Sequence, residues 1–453
     1  MEWNNKIVLV AGSGKSGIGA ADLLKKLGAS VIIYDGNEKL KKEDILLKLE
    51  NSENVDVILG ELQKCIIEKV DLMVLSPGIA IDAPFVNQVK EAGVPIWGEI
   101  ELAYVVAKGK LAAITGTNGK TTTTALVGEI LSDYFSHVDV VGNIGNPYTS
   151  TALDTDENSV TVAEVSSFQL ETIHTFKPDV SAVLNITPDH LNRHYTMECY
   201  TDVKMSISKN QEKEQPVILN YEDEILRNYA PKVQNKIIWF SSKRKLEQGI
   251  FLDGRNIIYK DGNESKVITT TDDTTLVGIH NIENIMAAIG ITIHMGVPAE
   301  VIREAIRKFK AVPHRIEYVD TIDDVIYYND SKGTNTDASI KAIQAMCRPT
   351  ILIAGGYDKK VSFDDWAKEF GDKIKCLVVL GQTANQIADT VRKFGFEKII
   401  FTNSLEEAVE ECRKTAVPGD AVLLSPACAS WGMFDNYEQR GDLFKELVFN
   451  MKK

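Results

Sequence analysis

No window of this sequence offers the roughly 18 uninterrupted apolar residues that a membrane-spanning helix needs, which excludes an α-helical span. Cysteine is sparse: Cys65, Cys199, Cys347, Cys376, Cys412 and Cys428 are scattered without a CxxC pair. That argues against a disulfide framework and a thiolate zinc site, and predicts reduced, mostly buried thiols. An excess of positive charge is also missing, with 50 Lys and Arg against 64 Asp and Glu and a formal net charge of -14. A protein gripping a nucleic-acid backbone concentrates positive charge, so nucleic acid is not an expected partner, whereas small anionic substrates need only a few local cations. Repeats and low-complexity tracts are lacking too. The opening MEWNNKIVLVAG runs straight into an expected strand rather than the apolar core of a signal peptide, so a soluble, cytoplasmic protein is expected.

What is present is an alternation. The 453 residues, 44% of them hydrophobic, suffice for two to four domains with buried cores. KIVLVAG, a helix from about Gly17, SVIIYD and VDLMVLSPG set a strand–helix–strand rhythm that predicts parallel sheets. GVPIWGEIELAYVVAKGK reads as a connection near Trp97 and Gly98, and Pro313 in KAVPHRIE breaks a second helical run. The expectation is an α/β protein of three domains, 1–98, 99–312 and 313–453, the middle one carrying a β-rich insert around GIFLDGRNIIYKDG.

Gly12, Gly14 and Gly17 form a GxGxxG turn between a strand and a helix, with Asp35 closing the next strand. Glycines there let a diphosphate approach a helix N-terminus, so the turn suits NAD(P) or another nucleotide-linked ligand, and it also suits a purely structural turn. KLAAITGTNGKTTTTALVGEI is sharper: a strand, a Gly-rich loop ending in Gly119-Lys120-Thr121, then a helix. Backbone N–H groups of such a loop cradle phosphates, Lys120 neutralises phosphoryl charge, and the Thr121 hydroxyl suits Mg²⁺. Ile114 stands where the generic phosphate loop has its first Gly, so the loop is a variant. Two strand ends then bring metal-compatible groups, Glu164 and His190, to the edge where α/β folds place ligands.

GTNGKTTT, AEVSSFQLE, LNITPDHLNRH, GIHNIEN, PHRIE, NDSKGTN and LLSPACASWGMFDNYEQRG follow one another in an order that resembles the Mur ligase family over nearly the whole chain. SPGI at Ser76 to Ile79, the run Gly142-Asn143-Ile144-Gly145 and the closing LSPACAS…F…EQRG are similar to the members that add D-glutamate. The resemblance implies a Rossmann-like UDP-binding first domain, a P-loop ATPase-like central sheet and a Rossmann-like third domain for the amino acid. The implied substrates are UDP-N-acetylmuramoyl-L-alanine and D-glutamate, with ATP and two Mg²⁺ ions, acting as a monomer.

By that resemblance Gly14, Lys15, Ser16, Asp35, Ser76, Gly78 and Asn143 would hold the UDP substrate. Gly116, Thr117, Asn118, Gly119, Lys120, Thr121 and Thr122 would hold ATP, with Asn284, Arg315 and Asp330. Thr121, Glu164, His190 and Lys204, the last as a carbamate, would serve the metals. Lys332, Thr334, Lys359, Ser430 and Tyr437 would hold D-glutamate, and Lys120, His190, Lys204 and Lys332 would be catalytic. His280 reads equally well as structural or as adjacent to the nucleotide. A folylpolyglutamate synthetase would share the phosphate loop and the modified lysine but lack the separate first domain. An NAD-dependent oxidoreductase or a non-catalytic nucleotide sensor would leave much of the motif set unused.

Overall fold

Strands that are apolar on consecutive positions belong to sheets covered on both faces. The computed structural model, which describes residues 2–143 and 145–452, contains three such sheets. Ile144 of the Gly142–Gly145 run lies outside the described residues. The first sheet is wholly parallel, with β1 (Ile7–Ala11), β2 (Ser30–Asp35), β3 (Val55–Leu59), β4 (Leu72–Leu75) and β5 (Ile96–Gly98) in the order β3-β2-β1-β4-β5. Successive β1 residues face opposite cores: Val8 and Val10 pack on one side, Leu9 and Ala11 on the other.

The second sheet holds β6 (Lys110–Thr115), β7 (Val138–Gly142), β8 (Val160–Glu164), β9 (Val180–Val183), β10 (Pro216–Asn220), β11 (Lys236–Ser241), β12 (Gly249–Asp253), β13 (Asn256–Asp261) and β14 (Glu264–Thr270). Its order is β14-β13-β12-β11-β10-β9-β6-β8-β7, parallel except for the antiparallel β12-β13-β14 end, which is the expected β-rich insert. The third holds β15 (Glu317–Ile322), β16 (Val325–Asn329), β17 (Thr350–Gly355), β18 (Ile374–Leu380), β19 (Ile399–Phe401) and β20 (Ala421–Leu424) in the order β15-β16-β20-β17-β18-β19, with only β15 antiparallel. The α/β class expected from the alternation is observed, with one sheet in each of the three expected stretches.

The chain forms two compact units, Met1–Asp273 with Glu283–Lys308, and Thr274–Ile282 with Phe309–Lys453. The first unit carries two sheets on a shared core that runs from Val8 and Val10 through Ile100, Leu102, Ala103 and Tyr148 to Leu111 and Ala113. The GVPIWGEIE stretch, read from sequence as a connection, contains edge strand β5 and the helix Glu99–Tyr104, whose Ile100, Leu102 and Ala103 are fully buried. Tertiary burial decided an assignment that local composition did not.

Two further expectations shift. The first helix runs from Lys15 to Lys26, so Gly17 lies inside its first turn; a Cβ there would meet the Gly12 carbonyl oxygen at 1.9 Å, and only glycine permits that approach. Only Cys376, Cys412 and Cys428 are buried, whereas Cys65 and Cys199, on short helices, and Cys347, two residues beyond the helix that ends at Ala345, face solvent.

The joint between the two sheets of the first unit rests on Glu101, which is wholly buried. Its Oε2 accepts from the His174 and Phe176 N–H groups at 2.8 and 3.0 Å, and its Oε1 from the Thr175 N–H and hydroxyl, both at 2.6 Å. Beside it Glu99 accepts from Gln169 Nε2 at 2.6 Å, and burial pushes its carboxyl up to about 7. Truncating Glu101 strands four donors in an apolar setting. Each orphaned group costs about 1–3 kcal/mol, so Glu101→Ala should lower the stability of this unit by roughly 3 kcal/mol or more in urea unfolding. A change below about 0.5 kcal/mol, the scale of an ordinary surface substitution, would refute this account of the joint.

Candidate active site

β6 lies between β8 and β9, so the carboxyl ends of three parallel strands stand side by side, with Ile114 in register with Glu164 and Thr115 with Val183. The phosphate-type loop leaves β6 and enters the helix Lys120–Ser132. Gly119 caps that helix at φ 87°, and a Cβ on it would lie 2.3 Å from Asn284 Oδ1, so glycine is what admits Asn284 to the loop. The Asn118 N–H donates to Asn185 Oδ1 at 2.8 Å, and Asn185 Nδ2 donates back to the Asn118 carbonyl at 3.0 Å. The Thr117 hydroxyl donates to the Thr187 carbonyl at 3.2 Å and lies 3.1 Å from the Tyr200 hydroxyl. Lys120 Nζ donates to the Gly116 and Thr117 carbonyls at 2.8 and 2.9 Å. Thr121 and Thr122 are buried in the first turn.

Lys204 lies on the helix Met197–Met205, 2% exposed, and its Nζ donates to the same Gly116 carbonyl at 2.8 Å. Burial, reinforced by the charge of Lys120, holds its ammonium well below the usual lysine range. A lysine held that way loses its proton more readily, and the free amine is a nucleophile. Glu164, the last residue of β8, accepts from Asn143 Nδ2 at 2.8 Å through Oε1, while Oε2 is buried with no hydrogen-bond partner. A bare carboxylate oxygen inside a protein calls for a cation or donor to complete it. His190 follows β9 in a left-handed conformation, half exposed, with Nε2 3.5 Å from Asp189 and its ring 4.8 Å from that of Phe168.

Among the described residues no three His, Cys, Asp or Glu side chains form a ready metal cage. The donors that are present, the Thr121 hydroxyl, the open oxygen of Glu164 and the His190 imidazole, suit a Mg²⁺ ion that takes most of its shell from water and phosphate.

In the first sheet the strand order reverses between β1 and β4, and the crevice lies there, as the switch-point rule expects. It encloses about 510 Å³ between the Gly12–Ser16 loop, Asp35 and the Ser76–Ile79 loop, so Gly14, Lys15, Ser16, Asp35, Ser76 and Gly78 all line one space. Burial raises the Asp35 carboxyl, but hydrogen bonds from the Ser13 hydroxyl and N–H and the Asn37 N–H outweigh it and hold Asp35 below its ordinary value. The Ser76 hydroxyl is buried without a partner. Lys15 Nζ reaches out of the first sheet to the Gly145 carbonyl at 2.7 Å, beside Asn143.

In the second unit, β16, β20 and β17 are adjacent and parallel, and the loops after their carboxyl ends carry Asp330 to Thr334, Ser425 to Ser430, and Gly356 to Lys359. Lys332 Nζ lies 5.1 Å over the Tyr437 ring, and Lys359 Nζ donates to the Thr334 carbonyl at 3.4 Å. Ser430 is buried. Asp330 is buried; its Oδ2 accepts from the Ser425 hydroxyl at 2.6 Å, and burial pushes its carboxyl up to about 7 against the pull of that bond and of Arg315. His280 is held down to about 4 by burial and stays neutral. Arg315 and Asp330 thus belong to the second unit, whereas Asn284 and the phosphate loop belong to the first.

Sequence reasoning missed two arginines. Arg440, 2% exposed, donates through Nε to Ser331 Oγ at 2.9 Å, through Nη2 to the Ser331 carbonyl at 2.7 Å, and to the Cys428 carbonyl, tying the loops that carry Lys332 and Ser430. Arg193 bridges Glu171 and the Ile79 carbonyl. Both stand within motifs already singled out, EQRG and DHLNRH, but nothing in their spacing says what they touch.

Comparison with known proteins covers each of these regions. Residues 6–98 match the Mur ligase MurD-like N-terminal domain, 114–292 the Mur ligase middle domain and 314–428 the Mur ligase glutamate ligase domain. Among solved structures, the UDP-N-acetylmuramate–alanine ligase of Thermotoga maritima has a TM-score of 0.61 at 18% identity, covering 99% of this chain and 100% of that one. The MurF ligase of Thermotoga maritima, solved with ADP, has a TM-score of 0.62 at 16% identity, covering 99% and 96%. At such identities these establish the fold alone. The UDP-N-acetylmuramoylalanine–D-glutamate ligase of Clostridioides difficile is 46% identical over 453 residues, and that of Lachnospira eligens 56% over 451, each covering 100% of both chains. Identity on that scale across the full length, joined to a phosphate loop, a switch-point crevice and a third ligand edge, places the chain in the Mur ligase family.

Proposed function

We propose that this chain joins D-glutamate to UDP-N-acetylmuramoyl-L-alanine with conversion of ATP to ADP and phosphate, a step of peptidoglycan precursor synthesis. The observation that carries the reading is the convergence of Lys120 and the buried Lys204 on the Gly116 carbonyl, next to a Glu164 whose second oxygen is open. The full-length likeness to D-glutamate ligases supports the choice of substrates.

The division of labour follows the three expected domains. Residues 1–98 bind the UDP moiety in the β1/β4 crevice, with Asn143 at the muramoyl end; 99–312 bind ATP; 313–453, which carry Arg315 and Asp330, bind D-glutamate. A carboxylate oxygen of the alanyl group attacks the γ-phosphorus and ADP departs. The amine of D-glutamate then attacks the acyl carbon, phosphate leaves, and the ammonium proton passes to solvent. Lys120 neutralises phosphoryl charge while the loop N–H groups hold the phosphates in line, so catalysis is mainly positioning and electrostatics. Bound Mg²⁺, two ions in this reading, neutralises phosphate charge, and Thr121, Glu164, His190 and Lys204 are the residues that would hold it. The neutral amine of Lys204 attacks the carbon of CO₂ and releases a proton, turning an uncharged group into an anionic carbamate among the metal donors. Lys332, Thr334, Lys359, Ser430 and Tyr437 receive the dicarboxylate. The protein works as a cytoplasmic monomer.

A phosphate-release assay with ATP, Mg²⁺ and UDP-N-acetylmuramoyl-L-alanine, comparing D-Glu with L-Glu and L-Lys, tests the reading as a whole; efficient use of L-Lys would sink it. Lys120→Ala should lose about 100-fold or more in turnover, the scale of one transition-state charge partner, with uridine-nucleotide affinity by calorimetry nearly unchanged. Equal loss of both would overturn the division between crevice and loop.

Lys204→Ala should be almost inactive and partly restored by acetate, which can occupy the space of a carbamate, while Lys204→Arg is not restored because it keeps a positive charge beside Mg²⁺. Full activity of Lys204→Ala would remove the carbamate from the mechanism. For the amino-acid end, Lys359→Ala should raise the D-Glu KM by about 30-fold, the equivalent of about 2 kcal/mol for a lost charge-assisted contact, and leave the ATP KM within about twofold. An unchanged D-Glu KM would remove Lys359 from the site.

A further inference from the structure

The segment between β9 and the Lys204 helix bends in an uncommon way. His190 and Tyr195, at φ 52° and 65°, bracket the four-residue helix Leu191–His194, and positive φ costs energy at any residue with a Cβ, so something outside the segment holds it. Arg193 is the anchor. Its Nη2 donates to Glu171 Oε2 at 2.5 Å and to the Ile79 carbonyl at 2.7 Å, and its Nε donates to Glu171 Oε1 at 3.3 Å. Its guanidinium lies 4.7 Å over the Phe168 ring, the ring that packs against His190. Both members of the ion pair are nearly buried, with side chains 12% and 8% exposed. A second strap runs alongside, from the Tyr195 hydroxyl to Asp82. Behind them His194, also buried, meets Ser167 Oγ at 3.0 Å and Glu171 at 3.4 Å.

Ile79 is the last residue of the SPGI loop and lines the crevice of the first sheet, and Asp82 lies three residues beyond it. One guanidinium therefore holds the crevice loop, a buried carboxylate and the ring beside His190 at once. Lysine could not replace it, because a point charge lacks the planar fork that serves Glu171 and Ile79 together and the flat face that lies on Phe168. We propose that Arg193 is a positioning residue that transmits occupancy of the uridine-diphosphate crevice to His190, so that a ligand ordering the Ser76–Asp82 loop also fixes the imidazole. This rests on the reading that the crevice takes the UDP moiety and that His190 serves Mg²⁺. The coupling is reciprocal by thermodynamic necessity, so Mg²⁺ in turn favours the ordered loop.

Hydrogen exchange of a peptide spanning 188–196, measured on the full chain with and without UDP, tests it without reference to turnover. UDP should slow exchange there in the wild type by about fivefold or more, the lower end of ordinary coupling between sites. Arg193→Lys should lose that protection while still binding UDP in calorimetry, and its half-saturating Mg²⁺ concentration in the ligase assay should rise by a similar factor with the D-Glu KM unchanged. Tyr195→Phe, an exposed change that spares the fold, should lose part of the protection. An Arg193→Lys protein that melts at lower temperature yet keeps the full UDP-dependent protection would reduce Arg193 to a structural joint and overturn the inference. So would a wild type that binds UDP without protecting the peptide. A wild type that fails to bind UDP would instead defeat the reading of the crevice on which the inference stands.

Discussion

Two lysine nitrogens, Lys120 Nζ and Lys204 Nζ, donate to one carbonyl oxygen, that of Gly116, each at 2.8 Å. Two full ammonium charges that close would repel strongly in a buried setting, and the conflict is settled by burial: Lys204, shielded from water and facing Lys120, gives up its proton far more readily than a free lysine. The settlement shapes the loop. Gly116 stands at φ 147°, its carbonyl turned inward to receive both nitrogens, while the Thr117 and Asn118 N–H groups that follow are taken by the carbonyl and side chain of Asn185. Lys120 stands at the N-terminus of a helix whose dipole favours anions. Glu164 and Asp189 pull Lys204 the other way but come after burial and Lys120 in weight.

A loop of this kind is useful only if the groups around it keep their places. Within the first unit the crevice sheet and the phosphate-loop sheet are joined by a common core, by the four donors that converge on Glu101, by Lys15 on the Gly145 carbonyl and by Arg193 on the Ile79 carbonyl. Several of these contacts place a charged side chain on backbone groups of the other sheet. Such bonds are directional and do not tolerate sliding, so they fix register where apolar packing alone would allow it to slip. The third sheet has its own cores on both faces, with Leu352 and Ala354 on one and Ile351 and Ile353 on the other.

The fold was legible wherever its signal was local. Runs such as KIVLVAG and TILIAGG announce strands buried on both faces, and β1 and β17 are those strands. Strands β3, β5, β7, β11 and β15 were not read; the first three, of five or fewer residues, look like connection until a neighbour pairs with them. The phosphate-type loop and Glu164 could be singled out because they follow strands in a recognisable order, and the lysines of NDSKGTN and GGYDKK through the family resemblance. Arg193 and Arg440 could not, because what matters about each is which distant carbonyl it reaches, Ile79 for one and Cys428 for the other, and that depends on strand order rather than sequence distance. The thiols erred for a related reason: hydrophobicity favours burying cysteine, but Cys199 falls on the outer side of the helix whose inner side buries Lys204.

The overall charge of -14 looks ill suited to a protein whose proposed substrates are all anions, a nucleoside triphosphate, a UDP-sugar acid and a dicarboxylate. The cations that matter are placed at strand ends and helix starts, where a local positive field can gather an anion whatever the sum over the surface. Their partners are equally telling. Lys15 and Lys359 each donate to a backbone carbonyl, of Gly145 and of Thr334. A carbonyl orients an ammonium group at modest energy, whereas a carboxylate partner would hold it by a charge-assisted bond roughly twice as strong that any incoming anion must first break. Parking lysines on neutral oxygens keeps them both ordered and available. The same economy holds for the carboxylates Asp35 and Glu164, which accept from the Ser13 hydroxyl and the Asn143 amide: a neutral donor leaves a carboxylate its full charge, which an ion pair with a lysine would cancel.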